Sequence, residues 1–235
     1  MMDDYNPALF ISSSLFLPFL KKSPPPEEPE EGDGPACDAD ELKLYKQRSA
    51  VYKKIIDRYS EMIEEKENKT ITELKTLVRP ENKAILKVRD DLVSEFDSFL
   101  YERDFPDAAK NAFSFVKEKI SDVYLPLDFW LTPEEIIELK AADDIEKSIF
   151  LCSLLIALGN NSSRVGVEVE GRAKRAFVFF SFNNEDWFMD PVKGVIAKGE
   201  KKELFEKQLP GYTNKVVYDF NDQEYHEWES NPETG

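Results

Sequence analysis

The chain has little of what most active sites are built from. It holds one histidine, His226, and two cysteines, Cys37 and Cys152, in 235 residues. A single histidine argues against a His-ligated metal centre and leaves no conventional catalytic base. Two cysteines in unlike settings, one in a polar stretch and one in an apolar run, do not make a disulfide framework. Basic residues are in deficit: 31 Lys and Arg against 47 Asp and Glu, a net charge of −16. Nucleic acid and anionic membrane surfaces repel such a chain, whereas a basic protein or peptide is attracted to it. No apolar run is long enough to cross a bilayer. The most apolar amino-terminal stretch, Pro7–Leu20, would reach only about 21 Å as a helix, against about 30 Å of hydrocarbon. Its lysines, Lys21 and Lys22, follow it rather than precede it, unlike a secretory leader. It is expected to dock on protein, or at most weakly on a membrane. A cytoplasmic location is the expectation, and no cofactor is expected.

What is present is 41% hydrophobic residues with 17 Phe, enough for a sizeable core. The amino-terminal residues 1–36 divide into the apolar stretch and a Pro/Glu-rich linker, Ser23–Pro35, too poor in apolar surface to offset its ordering entropy. Residues 38–124 read as helical. Leu42, Tyr45, Ser49, Tyr52, Ile56, Tyr59 and Ile63 recur at three- and four-residue steps, predicting an amphipathic helix to about Lys66. Thr72–Val78 reads as a short helix, and a second long one runs from Pro80 to Leu100. Phe105-Pro106 reads as a turn before a third, carried by Ala109, Ala112, Phe113, Val116 and Ile120.

Residues 125–222 carry the richest pattern. Thr132-Pro133-Glu134-Glu135 is a helix start, with Ile136, Ile137 and Leu139 as its expected buried side. Asp143 and Glu146 have capping-box spacing, and the helix that follows, about 144–158, is apolar nearly all round, as a central buried helix should be. Val165, Val167 and Val169 then alternate with Gly166, Glu168 and Glu170, the period of a strand. Arg175–Phe182 and Trp187–Asp190 predict two more strands, separated by the turn residues Asn183-Asn184-Glu185-Asp186. Glu200–Gln208 suggests a short helix and Lys215–Phe220 a further strand. Residues 223–235 read as an acidic, fraying tail. Consecutive strands with short turns, carrying one buried helix, predict an α+β fold preceded by a helical region.

Four segments of this region, taken together, resemble the transglutaminase-like superfamily, a papain-like fold. They are Asp-Phe-Trp-Leu-Thr-Pro-Glu-Glu (128–135), Ala-Ala-Asp-Asp-Ile-Glu before the apolar helix, Arg-Ala-Phe (175–177) and Trp-Phe-Met-Asp-Pro (187–191). The family reads Gly-Asp-Cys-Glu-Asp, His-Ala-Trp and Trp-x-x-Asp-Pro. The resemblance places Asp144 where the family has its nucleophilic Cys, Arg175 where it has its His, and Asp190 on the family Asp. An arginine cannot release its proton and an aspartate is a poor nucleophile towards an amide, so the resemblance implies a member without catalysis. Opposite charges remain, and they suggest an Asp144–Arg175–Asp190 ion cluster in place of the triad. Trp130, Asp143, Glu146 and Trp187 are the candidate binding residues. The expected function is therefore an inactive binding or scaffolding module. Two alternatives stand beside it. One is an active cysteine protease, amidase or acyltransferase that would need Cys152. The other is a carboxylate site for Mg²⁺ or Ca²⁺ made from Asp143, Asp144, Glu146 and Asp190. Cys152 reads as a core residue, and His226 as a solvated surface residue.

Overall fold

The computed structural model describes residues 39–67, 69–123, 129–170, 173–211 and 216–228. The expectations for Pro7–Leu20, the linker after it, Cys37, Asp128 and the tail from Glu229 lie outside them. The described chain is an α+β structure, a buried helix packed on an antiparallel sheet and preceded by helices, as the sequence predicts.

Helix α6 (Asp144–Ala157) is the centre of the molecule. Asp143 caps it, accepting from the N–H groups of Ile145 at 3.0 Å and Glu146 at 2.9 Å. Glu146 returns the bond by accepting from the Asp143 N–H at 2.9 Å, which closes the capping box. Eleven consecutive residues, Ile145–Leu155, are buried, so the helix has no solvent face. At its far end Asn160 is buried, and its amide donates to the Tyr101 hydroxyl and the Ser181 carbonyl, both at 3.1 Å.

The sheet has six strands, β3 (Arg164–Glu170), β4 (Ala173–Phe182), β5 (Glu185–Asp190), β6 (Val195–Gly199), β7 (Val216–Phe220) and β8 (Tyr225–Trp228), in the order β6-β5-β4-β3-β7-β8 and antiparallel throughout. Two residues that were expected to fray in an acidic tail, Tyr225 and Trp228, instead bound β8, paired with β7 through Val217↔Trp228 and Phe220↔Tyr225. Alternation sorts the strands onto two cores. Val165, Val167, Ala176, Val178, Phe180, Phe182, Trp187 and Met189 face α6. Phe177, Phe179, Phe188 and Val217 face the other way, under Leu204 and Phe205 of α7 (Lys201–Gln208).

The preceding helices are α1 (Ala39–Glu67), α2 (Ile71–Leu74), α3 (Lys83–Val93) and α4 (Tyr101–Lys119). Two small strands, β1 (Ser121–Asp122) and β2 (Ala141–Ala142), pair in parallel across α5 (Pro133–Leu139). Helices α3 and α4 pack on α6 within the same core as the sheet. The helix expected from Pro80 stops at Val93. The one expected after Phe105-Pro106 starts earlier, at Tyr101, and holds Pro106 inside it. Pro106 removes one backbone donor. The cost is offset because the early start seats Tyr101 against Phe182 (5.4 Å between ring centroids) and Phe105 against Phe180 (5.5 Å). Of the expected buried side of α5, Ile136 is buried, Ile137 is half-buried and Leu139 is exposed; Lys140, left-handed at φ 52°, ends the helix directly after it.

Candidate functional site

The amino end of α6 is where the resemblance places its chemistry, and four candidate residues gather there. Asp143 is the cap. Glu146 is buried, and besides the Asp143 N–H it accepts from the Leu131 N–H at 2.6 Å, tying the segment before α5 onto α6. Trp130, next to Leu131, donates its indole N–H to the Glu67 carbonyl at 3.1 Å and so joins α1 to this end. These three side chains are occupied in holding the fold.

Asp144, the fourth, is exposed and first in the helix. Its carboxyl is pushed above the usual carboxylate range by partial desolvation, and then by the negative charges of Asp143, Asp122 and Asp190, with Lys147 opposing. Lys147, one turn on, is fully buried and paired: its Nζ donates to Asp122 Oδ1 at 2.6 Å, at the edge of solvent. Among the described residues no group of three or more His, Cys, Asp or Glu is arranged to hold a metal ion.

The structure joins two members of the expected ion cluster and separates the third. Arg175 Nε donates to Asp190 Oδ2 at 2.8 Å, and its Nη1 donates to the Gln208 carbonyl at the end of α7 at 2.6 Å. Asp190 is buried, and its Oδ1 also accepts from the backbone N–H groups of Val192 at 3.1 Å and Lys193 at 2.7 Å. Asp144 makes no bond to Arg175. The physical reason is strand phase. Arg175 alternates with Ala176 and so lies on the face of β4 that carries Phe177 and Phe179, beneath α7. Its guanidinium carbon sits 5.6 Å from the centroid of Phe188 on the same side. Asp144 begins the helix on the opposite face. Any side chain at position 175 is set on that face by the alternation of β4.

Cys152 is wholly buried in the α6 core, and burial raises its thiol far above the ordinary range, so it carries no thiolate at neutral pH. Trp187 is buried, stacks on Phe180 at 5.6 Å and lies under Lys198 at 5.3 Å. Its indole nitrogen has no hydrogen-bond partner among the described residues. It lines a surface recess of about 460 Å³ between Pro106 and Lys110 of α4 and Ile196 and Lys198 of β6, the edge strand.

One cluster escaped the sequence. On the α7 face, Asp219 accepts from Arg164 Nε and from the Trp228 indole N–H, and Arg164 Nη1 also reaches Glu224 at 3.0 Å. Arg164 Nη2 lies 2.8 Å from His226 Nδ1. A guanidinium only donates, so that ring nitrogen accepts. His226 is exposed but engaged, not merely solvated. No local signal marked this cluster, because it depends on the pairing of β3 with β7 and of β7 with β8.

No protein-family model matches the sequence, and none of the curated proteins matches it. Among solved structures, three forms of Legionella pneumophila LapG are similar, each at 16% identity and a TM-score of 0.37. LapG, its calcium-bound form and its EGTA-treated form cover 60%, 64% and 60% of this chain, and the chain covers 86%, 93% and 83% of theirs. At that level of superposition the likeness decides nothing, and the α+β assignment stands on this chain's own elements.

Proposed function

We propose that the chain is a degenerate transglutaminase-like protein, without the catalytic Cys and His, that serves as a binding or scaffolding module for a protein or peptide. The observation that carries this reading is the amino end of α6. It offers a carboxylate, Asp144, and no thiol, while the described cysteine, Cys152, is sealed in the core. Arg175 and Asp190 are engaged with each other and with α7 on the far face of the sheet. The net charge of −16 favours a basic partner. The Trp187 recess beside edge strand β6 suits an extended segment, whose backbone could pair with the strand.

The test has two arms. The native protein is incubated with fluorogenic amide and glutaminyl substrates and with a thiol-directed probe. The expected result is no turnover above buffer and no labelling of Cys152 until the protein is unfolded. Turnover that Cys152→Ala abolishes overturns the reading. An array of immobilised extended peptides is then probed with the wild type, with Trp187→Phe, which removes the indole N–H together with one ring of the recess lining, and with Ile196→Lys on β6. Peptides bound by the wild type and lost by both variants support the recess as the binding face. Unchanged binding by both variants removes it.

A further inference from the structure

Among the described elements, helix α1 is long and leaves most of its apolar face in solvent, with Ile56 and Ile63 half-buried. Tyr45 is 71% exposed, Tyr52 61%, Ile55 48%, Tyr59 46% and Met62 49%. No other described element packs extensively along it. Isolated helices are marginal in water, and most helices gain their stability by packing an amphipathic face. The spacing is seven, not merely helical. Leu42, Ile56 and Ile63 share one seven-residue phase, in which Ser49 is the polar member, and Tyr45, Tyr52 and Tyr59 follow three residues behind it. That is the seam of a two-stranded coil, with Ile55 and Met62 widening it on one side.

The charges identify what the seam meets. Residues 39–53 carry four basic and two acidic side chains, and residues 54–67 carry three basic and five acidic. Glu64, Glu65 and Glu67 crowd the carboxyl end, where an isolated helix favours cations. The distribution works against the helix alone, yet it is self-complementary when a second α1 lies antiparallel. We infer that α1 pairs with α1 of a second copy of this chain as an antiparallel two-stranded coil. In that register Ser49 faces Tyr59 of the other copy, Ile56 faces Tyr52 and Ile63 faces Tyr45, so the central layers set a large side chain against a smaller one, and Leu42 faces Lys66 at each end. A parallel pair would stack tyrosine on tyrosine and set like-charged halves together. The 29-residue helix is about 43 Å long. Its seam would bury about 600 Å² per copy, reaching the lower bound of a stable interface.

The experiment uses the full chain with Cys37→Ser as background. Sedimentation equilibrium from 1 to 100 µM should give twice the monomer mass, and Tyr52→Lys should give the monomer mass with an unchanged melting temperature of the folded body. Under mild oxidation, a mixture of Ser49→Cys and Tyr59→Cys proteins should form the mixed disulfide, and Ser49→Cys alone should not cross-link. A monomer at every concentration, including one whose own residues 7–20 cover the seam, overturns the inference. So does efficient Ser49→Cys self-cross-linking, which is the mark of a parallel pair.

Discussion

Replacing Glu146 by alanine tests whether the amino end of α6 is a structural joint. Its two carboxylate oxygens accept from the N–H groups of Leu131 at 2.6 Å and Asp143 at 2.9 Å, and the side chain is buried. E146A removes both acceptors and admits no protein substitute. Each bond to a charged acceptor contributes about 1.5–3 kcal/mol, and water can reach part of the freed N–H groups, so the combined loss is about 3–5 kcal/mol, within the lower part of the sum of two bonds. For a folded body of this size, where 1 kcal/mol moves the melting temperature by about 2–4 °C, the midpoint should fall by about 6–20 °C. E146Q keeps one oxygen and should lose about half as much. Calorimetry gives the midpoint. Amide exchange supplies the local signature, because protection of the Leu131 and Asp143 amides should fall in E146A well before that of β4. An E146A protein that melts within about 2 °C of the wild type, with both amides still protected, refutes the assignment.

Other perturbations reach the remaining features. Asp144 has its carboxyl raised above its ordinary value near 3.8, so the native state holds that proton more tightly than the unfolded chain does. Its contribution is therefore most favourable below pH 3.8 and is lost as pH rises through the native value. Asp144→Asn should raise the melting temperature at pH 7 and leave it nearly unchanged at pH 3, and an equal shift at both would be contrary. Gly166→Ala would drive a Cβ into the Phe177 ring, which stacks on Phe188. Overpacking of that kind costs about 1–3 kcal/mol, measurable by urea titration, and a neutral result would show that the ring moves freely. Arg175→Met leaves Asp190 charged and buried with only its backbone donors. A loss of about 2–3 kcal/mol is expected, less than the 3–5 typical of a fully stranded charge, and Arg175→Met with Asp190→Asn should recover part of it.

Helix α6 was legible because two independent signals agree there: a capping box at Asp143 and Glu146, and an apolar run with no polar face. The face of Arg175 was not. Strand β4 is apolar on both sides, with Ala176, Val178, Phe180 and Phe182 towards α6 and Phe177 and Phe179 towards α7. A strand buried on both faces has lost the alternation from which phase is read. Motif alignment supplied a phase instead, and it placed the guanidinium beside Asp144. Strand β8 was misread for a related reason. Glu224 and Glu227 make the segment look like a solvated tail, whereas Tyr225 and Trp228 gain their burial from strands and a helix distant in sequence, which no local pattern announces.

The core that α6 shares with α3, α4 and the sheet has a consequence for how the protein comes apart. Phe105 and Phe113 of α4 and Ile85 of α3 are buried together with Phe150, Phe180 and Met189. A cut near residue 124, where the sequence turns from helical to mixed, would strip the cover from α6 and leave those rings in water. Residues 71–119 and 129–211 should therefore melt in a single cooperative transition, with the most slowly exchanging amides of α4 and β4 opening at the same free energy.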